Sequence, residues 1–220
     1  MNHWQLAVDS FWPLVWASVA GTIPLTLLSF AFGLVLAVLV ALARLSSLKP
    51  VALIGQFYVS VIRGTPLLVQ LFIIFYALPF MGVLLDPYPS AVIAFSVNVG
   101  GYAGETIRGA ILAVPKGQWE AAAAVTLDYW RTLRRVILPQ AFRIAIPPLS
   151  NTFIGLVKDT SLASIVMVTE LLRRSQIIAT PTYDFLTMYT EAALIYWLIC
   201  TVLSFAQKRV EVRLSKYVTV

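Results

Sequence analysis

The stretch FWPLVWASVAGTIPLTLLSFAFGLVLAVLVALA, residues 11–43, contains no charged residue. About 18 to 20 consecutive apolar residues are enough to cross the hydrocarbon core of a bilayer, so this run exceeds the requirement. Over the whole chain, hydrophobic residues make up 60% of the 220 positions and charged residues 12%. An average soluble domain carries about twice that share of charge. The composition therefore argues against a water-soluble fold and indicates a membrane protein.

Four more apolar segments follow, and turn signals separate them. We predict an all-α polytopic membrane protein with five transmembrane helices, and we expect residues 1–220 to form a single transmembrane domain. The predicted spans are residues 19–43, 51–79, 89–113, 140–166 and 186–207, and residues 114–139 form a loop between the third and the fourth. Residues 4–18, which include three tryptophans, fit either an outer interfacial helix or an early start of the first span.

Lysine and arginine are unevenly distributed among the segments between spans. If the amino terminus is outside, eleven of the 16 lie in inner segments, two in outer segments and three within spans. The inner ones are Arg44, Lys49, Lys116, Arg131, Arg134, Arg135, Arg143, Lys208, Arg209, Arg213 and Lys216. The positive-inside rule therefore predicts an outside amino terminus and a cytoplasmic carboxy terminus. Because the basic residues follow the loops, the net charge of +6 does not indicate nucleic-acid binding.

Several ionisable residues fall inside the predicted spans, where each costs on the order of 2.5–3.5 kcal/mol at a helix centre. They are Arg63, Glu105, Arg108, Lys158, Asp159 and Glu191. We expect each of them to face another charge, a partner subunit or an aqueous cavity.

The second span contains Arg63-Gly64-Thr65-Pro66. Proline removes a helical hydrogen bond and clashes with the preceding turn, so we predict a kink here. The hydroxyl of Thr65 can satisfy one of the freed carbonyls. The motif fits a kinked packing site with Arg63 paired internally as well as it fits a gate or a substrate cavity to which Arg63 and Thr65 contribute.

The third span places Asn98, Tyr102 and Glu105 on one helical face, because they are spaced four and three residues apart. An amide, a phenol and a carboxylate on one face could line a site for a small zwitterion. Arg108 follows Glu105 by three residues, so a purely structural pair is the alternative. The small-xxx-small pair of Gly100 and Gly104 predicts close approach of a neighbouring helix.

The fourth span contains Lys158-Asp159-Thr160-Ser161. Adjacent helical residues point about 100° apart, so Lys158 and Asp159 cannot neutralise each other along one face. We expect a broken helix that restarts here, capped by the Asp-Thr-Ser run. An amino-acid ammonium would bind Asp159 or Glu105, and its carboxylate would bind hydroxyls, backbone N–H groups or Lys158. An intersubunit ion pair is the alternative.

Common catalytic and metal-binding motifs are absent. The chain has no Gly-x-x-x-x-Gly-Lys-Ser/Thr phosphate loop, His3 is its only histidine and Cys200 its only cysteine. We therefore predict no catalytic residues, no metal site and no cofactor on this chain.

The polar, helix-prone loop 114–139 is typical of a docking segment for a soluble partner. It contains Glu120-Ala121-Ala122 and, further on, Leu138-Pro139, and at this spacing the two motifs resemble the cytoplasmic loop of bacterial ATP-binding-cassette (ABC) importer permeases. Further motifs resemble the polar-amino-acid importer branch, closest to cystine-type permeases. They are Arg63-Gly64-Thr65-Pro66, Tyr102-x-x-Glu105, Lys116-Gly117-Gln118-Trp119-Glu120 and Lys158-Asp159-Thr160-Ser161-Leu162.

The resemblance covers about residues 19–210. It implies a type I ABC importer permease fold, a homodimer in the lipid of a bacterial inner (plasma) membrane, and no enzymatic activity of the chain itself. The implied partners are an ATPase subunit, which would bind ATP and Mg, and an extracytoplasmic amino-acid-binding protein. The implied coupling residues are Gly117, Glu120, Ala121, Ala122, Leu138 and Pro139. The implied substrate neighbours are the counterparts of Asn98, Tyr102, Glu105, Lys158, Asp159 and Thr160.

Thr126 departs from the family pattern, which has a glycine six residues after the glutamate. Glycine would end the loop helix with a left-handed turn, which threonine resists, so we expect a different turn or a longer helix. The residues alone leave other functions open. A secondary amino-acid transporter or channel not coupled to ATP would leave the loop unexplained, and a polytopic membrane enzyme would lack recognisable catalytic groups.

Overall fold

The computed structural model describes residues 3–215 of the chain, and every regular element in that range is helical. The first helix, α1 (His3–Leu45), runs for 43 residues, which is about 64 Å at 1.5 Å per residue. A π-helical turn at Ser18–Thr22 lies within it and contains Gly21, where an added Cβ would lie 2.5 Å from the backbone oxygen of Thr169. Since α1 is continuous, the structure supports an early start of the first span over a separate interfacial helix.

The predicted second span consists of two helices, α2 (Lys49–Gly64) and α3 (Leu67–Met81). Their axes meet at 106°. The predicted kink is confirmed, and that the bent pair crosses the membrane as the single span predicted for residues 51–79 stays a prediction. The physical reason for the kink is that the proline ring at position 66 disfavours helical backbone at Thr65, which is extended with φ −121° and ψ 145°.

The next helix, α4 (Pro87–Leu112), packs most extensively against α1. Glycines make this approach possible. A Cβ on Gly104 would lie 2.9 Å from a side-chain carbon of Val40, and one on Gly100 would lie 2.7 Å from a side-chain carbon of Leu36. The close packing predicted for these two glycines is therefore confirmed, and Phe95 lies fully buried in the same core.

The second half of the chain begins with a short helix, α5 (Lys116–Ala124), and a long one, α6 (Tyr129–Val166). Helix α6 starts earlier than the predicted span at residue 140, because Pro139 lies in the first turn of its regular α-helical segment, where proline is tolerated. The chain then bends by 47° into α7 (Leu171–Thr182) and ends in α8 (Phe185–Ser215).

Helices α1 and α8 are each long and apolar enough to cross a membrane, and the bent pairs α2–α3 and α6–α7 could each add one span. Helix α4 has 26 residues, which is about 39 Å and long enough to span a membrane, but it is less apolar than α1 and α8 and is not counted as a span by composition. The structure therefore supports two to four spans, and the fifth stays a prediction. The predicted spans 89–113 and 186–207 begin within a few residues of α4 and α8.

Two contacts show which helix ends lie together. His3 Nδ1 is 2.6 Å from Asp184 Oδ2, so the start of α1 lies beside the start of α8. Arg44 Nε is 3.5 Å from Glu105 Oε2, so the end of α1 lies beside the later part of α4. Ser10 on α1 also donates to Glu191 on α8, and Ser96 on α4 donates to the backbone oxygen of Ser29 on α1. The contacts advance together along each pair, so α1, α4 and α8 run in the same direction. Lys216, counted among the inner basic residues, lies outside the described residues.

Candidate functional site

The side chain of Gln70, which is only 7% exposed, fills the break between α2 and α3. Its Nε2 donates to the backbone oxygen of Ile62 at 2.8 Å and lies 3.1 Å from the backbone oxygen of Thr65 and 3.0 Å from Thr65 Oγ1. The Thr65 hydroxyl donates to the backbone oxygen of Val61 at 2.8 Å. The carbonyls freed at the break are thus satisfied by side chains. The role expected of the Thr65 hydroxyl is confirmed.

Asn98 and Tyr102 on α4 lie beside this break. Asn98 Nδ2 donates to Gln70 Oε1 at 3.0 Å. One turn later, the guanidinium carbon of Arg63 lies 5.5 Å from the centre of the Tyr102 ring, a cation–π geometry. Among residues 3–215, Arg63 has no carboxylate within ion-pair distance. We call Arg63, Thr65, Gln70, Asn98 and Tyr102 the polar strip.

Glu105 lies farther along α4 and is held by two arginines. It accepts a hydrogen bond from Arg108 Nε at 2.8 Å and pairs with Arg44 at 3.5 Å. The structural pair with Arg108 is therefore present, and Arg44 adds a second positive charge that the sequence analysis did not anticipate. Both guanidinium groups would compete with a ligand ammonium for the Glu105 carboxylate.

Lys158, Asp159 and Thr160 lie where the α-helical part of α6 gives way to a tighter 3₁₀ segment. The helix does not restart here, and no capping bond comes from Asp159, so that prediction is wrong. Lys158 is exposed, Asp159 is half-buried, and neither forms an ion pair with another residue in the range 3–215. Thr160 is fully buried and donates to the backbone oxygen of Val157 at 2.7 Å.

The second break in the bundle is closed by Glu170, which is fully buried before the start of α7. Its carboxylate accepts from the backbone N–H groups of Leu172 at 2.9 Å and Arg173 at 2.7 Å, as a helix-capping side chain does. The Tyr196 hydroxyl on α8 donates to it at 2.5 Å. Thr22 Oγ1 on α1 accepts from the next backbone N–H, that of Leu171, at 3.2 Å. Glu170 therefore ties the start of α7 to α8, and Thr22 ties the same turn to α1.

Sequence reasoning missed both Gln70 and Glu170. A signal existed for each: Gln70 is the only polar residue in the run 67–75, and Glu170 is an acceptor just before the apolar pair Leu171-Leu172. The described part of the chain shows no hydrogen bond or ion pair from Lys158, Asp159 or Thr160 to the polar strip or Glu105. The predicted substrate residues therefore form separate groups within one subunit.

The loop helix α5 ends in a Schellman motif. The N–H of Leu127 donates to the oxygen of Ala122 at 3.1 Å, and the N–H of Thr126 donates to the oxygen of Ala123 at 2.9 Å. Thr126 itself is left-handed, with φ 59°. Both expectations for this position, a different turn or a longer helix, are wrong, because threonine adopts the conformation that suits glycine.

The surface of the loop is partly available to a partner. Glu120 and Ala121 are exposed, whereas Ala122 is only 4% exposed and packs within its own subunit. Trp119 stacks on Tyr129 with ring centres 5.8 Å apart, which joins α5 to the start of α6. Gly117, Leu138 and Pro139 are exposed as well.

Within residues 3–215, no group of three His, Cys, Asp or Glu side chains is placed to hold a metal ion. Of the charged side chains in the same range, some form ion pairs and others, such as Glu170 and Glu191, accept hydrogen bonds from hydroxyl groups. These groups can bind and orient a polar molecule.

Comparison with known proteins supports the same view. The sequence profile of a family described as "Binding-protein-dependent transport system inner membrane component" matches residues 32–216. The L-cystine transport system permease protein TcyB of Bacillus subtilis (strain 168) is 58% identical over 216 residues, covering 98% of this chain and 92% of that protein. The probable amino-acid ABC transporter permease protein YckA of the same organism is 41% identical, covering 97% and 94%.

Solved structures give a concordant picture. A chain from the "Crystal structure of an amino acid ABC transporter with histidines" is 34% identical and superimposes with a TM-score of 0.89, covering 94% of this chain and 97% of that one. A chain of an inward-facing MetNI methionine ABC transporter is 22% identical with a TM-score of 0.73, covering 92% and 98%. At that identity the second match shows the shared fold alone.

Proposed function

Because the chain belongs to the family of inner membrane components of binding-protein-dependent transport systems, we propose that it is the permease subunit of an ATP-driven importer of cystine or another polar amino acid. The observation that carries the proposal is the 58% identity to an L-cystine permease over nearly the full length of both chains. Permease subunits are non-enzymatic membrane components, and a separate subunit hydrolyses ATP.

The proposed assembly contains two copies of this chain, two ATPase subunits that bind ATP and Mg, and an extracytoplasmic amino-acid-binding protein. The exposed Glu120 and Ala121 on α5 support docking of the loop into a groove of the ATPase. Ala122 would act indirectly, by holding α5 on its own subunit.

We propose that the amino terminus is outside and the carboxy terminus cytoplasmic. The parallel course of α1 and α8 supports this, because residue 3 lies beside the start of α8 and residue 215 at its far end. The basic residues Arg44, Arg209 and Arg213 then lie on the cytoplasmic side, as the positive-inside rule requires.

For the substrate path we propose the polar strip together with Lys158 and Asp159. Asp159 is the better counter-ion for an ammonium group than Glu105, because Arg44 and Arg108 already neutralise Glu105. Arg63, which has no carboxylate partner among the described residues, is suited to a substrate carboxylate. Thr160 would act by supporting Asp159, since its side chain is buried.

The test is ATP hydrolysis in lipid nanodiscs with the ATPase coexpressed, with and without a binding protein loaded with cystine. We expect stimulation by the loaded binding protein, and we expect Glu120→Ala to reduce the stimulated part about tenfold, as loss of one charged hydrogen bond would. Glu211→Ala is the matched control, because it also removes a carboxylate from the cytoplasmic side but lies on α8, outside the loop.

If the chain copurifies with the ATPase but cystine does not stimulate ATP hydrolysis, the proposal of an ATP-driven importer stands and the substrate is another amino acid. Failure to associate with any ATPase would instead support a secondary transporter or channel. Equal stimulation in wild type and Glu120→Ala would remove the coupling role of Glu120.

A further inference from the structure

The break between α2 and α3 determines which way the Gln70 amide points. Backbone carbonyl oxygens can only accept hydrogen bonds. The amide atom that lies 2.8 Å from the oxygen of Ile62 and 3.1 Å from that of Thr65 must therefore be the nitrogen. The other end of the amide, which faces α4, must be the oxygen.

The orientation of Gln70 in turn determines that of Asn98. Gln70 Oε1 is an acceptor, so the Asn98 atom at 3.0 Å from it must be the donor Nδ2. The remaining Asn98 atom, Oδ1, is a pure acceptor and has no hydrogen bond within residues 3–215. Asn98 is half-buried, and its Oδ1 is not among the enclosed atoms that lack a partner. It is therefore open to a ligand.

We infer that Gln70 is a positioning residue that makes Asn98 present an acceptor to the substrate path, so that this point selects a hydrogen-bond donor such as an amino-acid ammonium. The inference rests on the proposed function. It adds Gln70 to the residues that shape the substrate path, and it states that Asn98 offers the substrate a hydrogen-bond acceptor. The chain of cause runs from Pro66, through the unpaired carbonyls and Gln70, to Asn98.

The groups around Asn98 agree with this polarity. Arg63, stacked on Tyr102 one turn away, is a donor that attracts a carboxylate. A zwitterion needs an acceptor at one end and a donor at the other, and the polar strip offers both. Without Gln70, the Asn98 amide would turn its nitrogen toward water, because a partly buried N–H without an acceptor is unfavourable.

Two substitutions separate orientation of Asn98 from support of the helix break. Gln70→Leu removes both functions. Gln70→Glu keeps an oxygen facing Asn98, so Asn98 still donates with Nδ2, while the ionised carboxylate can no longer donate to the carbonyls at the break. Gln176→Leu is the matched control, because Gln176 lies on α7 and, within residues 3–215, its side chain only accepts a long 3.4 Å bond from Arg173.

The measurement is equilibrium binding to the purified permease–ATPase complex in nanodiscs, without binding protein. The ligands are L-cystine and 3,3′-dithiodipropionic acid, which is cystine without its two ammonium groups. Assembly of each variant is checked by size-exclusion chromatography. We expect Gln70→Leu to weaken cystine binding about tenfold while changing dithiodipropionate binding little, so that selectivity falls by the same factor. Gln70→Glu and Gln176→Leu should retain the selectivity.

Unchanged selectivity in an assembled Gln70→Leu variant would overturn the inference and leave the proposed function intact. If that variant fails to assemble, the Gln70→Glu variant decides: selectivity retained supports the inference, and selectivity lost shows that Gln70 only supports the break. A wild-type complex that binds neither cystine nor any other amino acid would count against the proposed function and would overturn the inference with it.

Discussion

Replacing Thr126 with glycine should strengthen the end of α5. The backbone of Thr126 is left-handed, with φ 59°. This conformation brings the Cβ close to the following carbonyl oxygen, which costs about 1–2 kcal/mol for a residue with a side chain. Glycine removes that strain but makes the unfolded chain more flexible, which costs about 0.4–1 kcal/mol. The Thr126 hydroxyl bond to the backbone oxygen of Val125 is exposed, so water can replace it. Subtracting the midpoints of the two ranges leaves a net gain of about 0.8 kcal/mol for Thr126→Gly.

The assay is hydrogen–deuterium exchange of the permease–ATPase complex, followed on peptides that cover residues 122–128. A gain of about 0.8 kcal/mol predicts about fourfold slower exchange of the Leu127 amide, which bonds to the oxygen of Ala122. Ala123→Gly is the control, because glycine inside the same exposed helix should cost about 1 kcal/mol and speed exchange. Unchanged or faster exchange in Thr126→Gly would refute the reasoning.

Three further predictions concern packing, capping and charge. Gly100→Ala should destabilise the bundle by about 1–3 kcal/mol, because the added Cβ would lie 2.7 Å from a leucine side chain. Gly109→Ala is the control, because nothing lies near the position of its added Cβ. Equal melting temperatures of the two variants would contradict this prediction. Glu170→Ala should cost about 2–4 kcal/mol in thermal unfolding, and Glu170→Gln should restore part of it; no difference between the two would exclude the capping role. His3 holds the pKa of Asp184 below its ordinary value through a hydrogen bond. This bond therefore stabilises the fold above about pH 4, and the stabilisation is lost as pH falls through the lowered pKa of Asp184. His3→Ala should raise the pKa of Asp184 in a carboxyl NMR titration, and an unchanged pKa would show that the bond is absent.

The helices were predictable from sequence because burial in lipid or protein demands long apolar runs. The starts of α4 and α8 lie close to the predicted ones for this reason. The break at Pro66 was predictable as well, since its cause is local: the proline ring acts on the residue before it. The packing role of Gly100 and Gly104 followed from spacing alone.

Features that depend on distant residues were not predictable. The second break was expected near Asp159 and occurs after Val166, because the capping carboxylate of Glu170 also needs Tyr196 on α8. The second partner of Glu105, Arg44, comes from the end of α1. The left-handed Thr126 contradicts its own local preference, and only the Schellman bonds of α5 make it acceptable.

The two breaks in this bundle are closed by side chains of opposite hydrogen-bonding character, and the backbone explains the choice. At the end of α2, helix termination leaves carbonyl oxygens without partners, so a donor is needed, and the amide nitrogen of Gln70 supplies it. At the start of α7, the unpaired groups are N–H donors, so an acceptor is needed, and the carboxylate of Glu170 supplies it. An amide also has an oxygen left over, and a carboxylate has no donor at all. Each closing group therefore fixes the hydrogen-bonding direction of a neighbour: Glu170 makes Tyr196 a donor, and Gln70 makes Asn98 a donor beside the proposed substrate path.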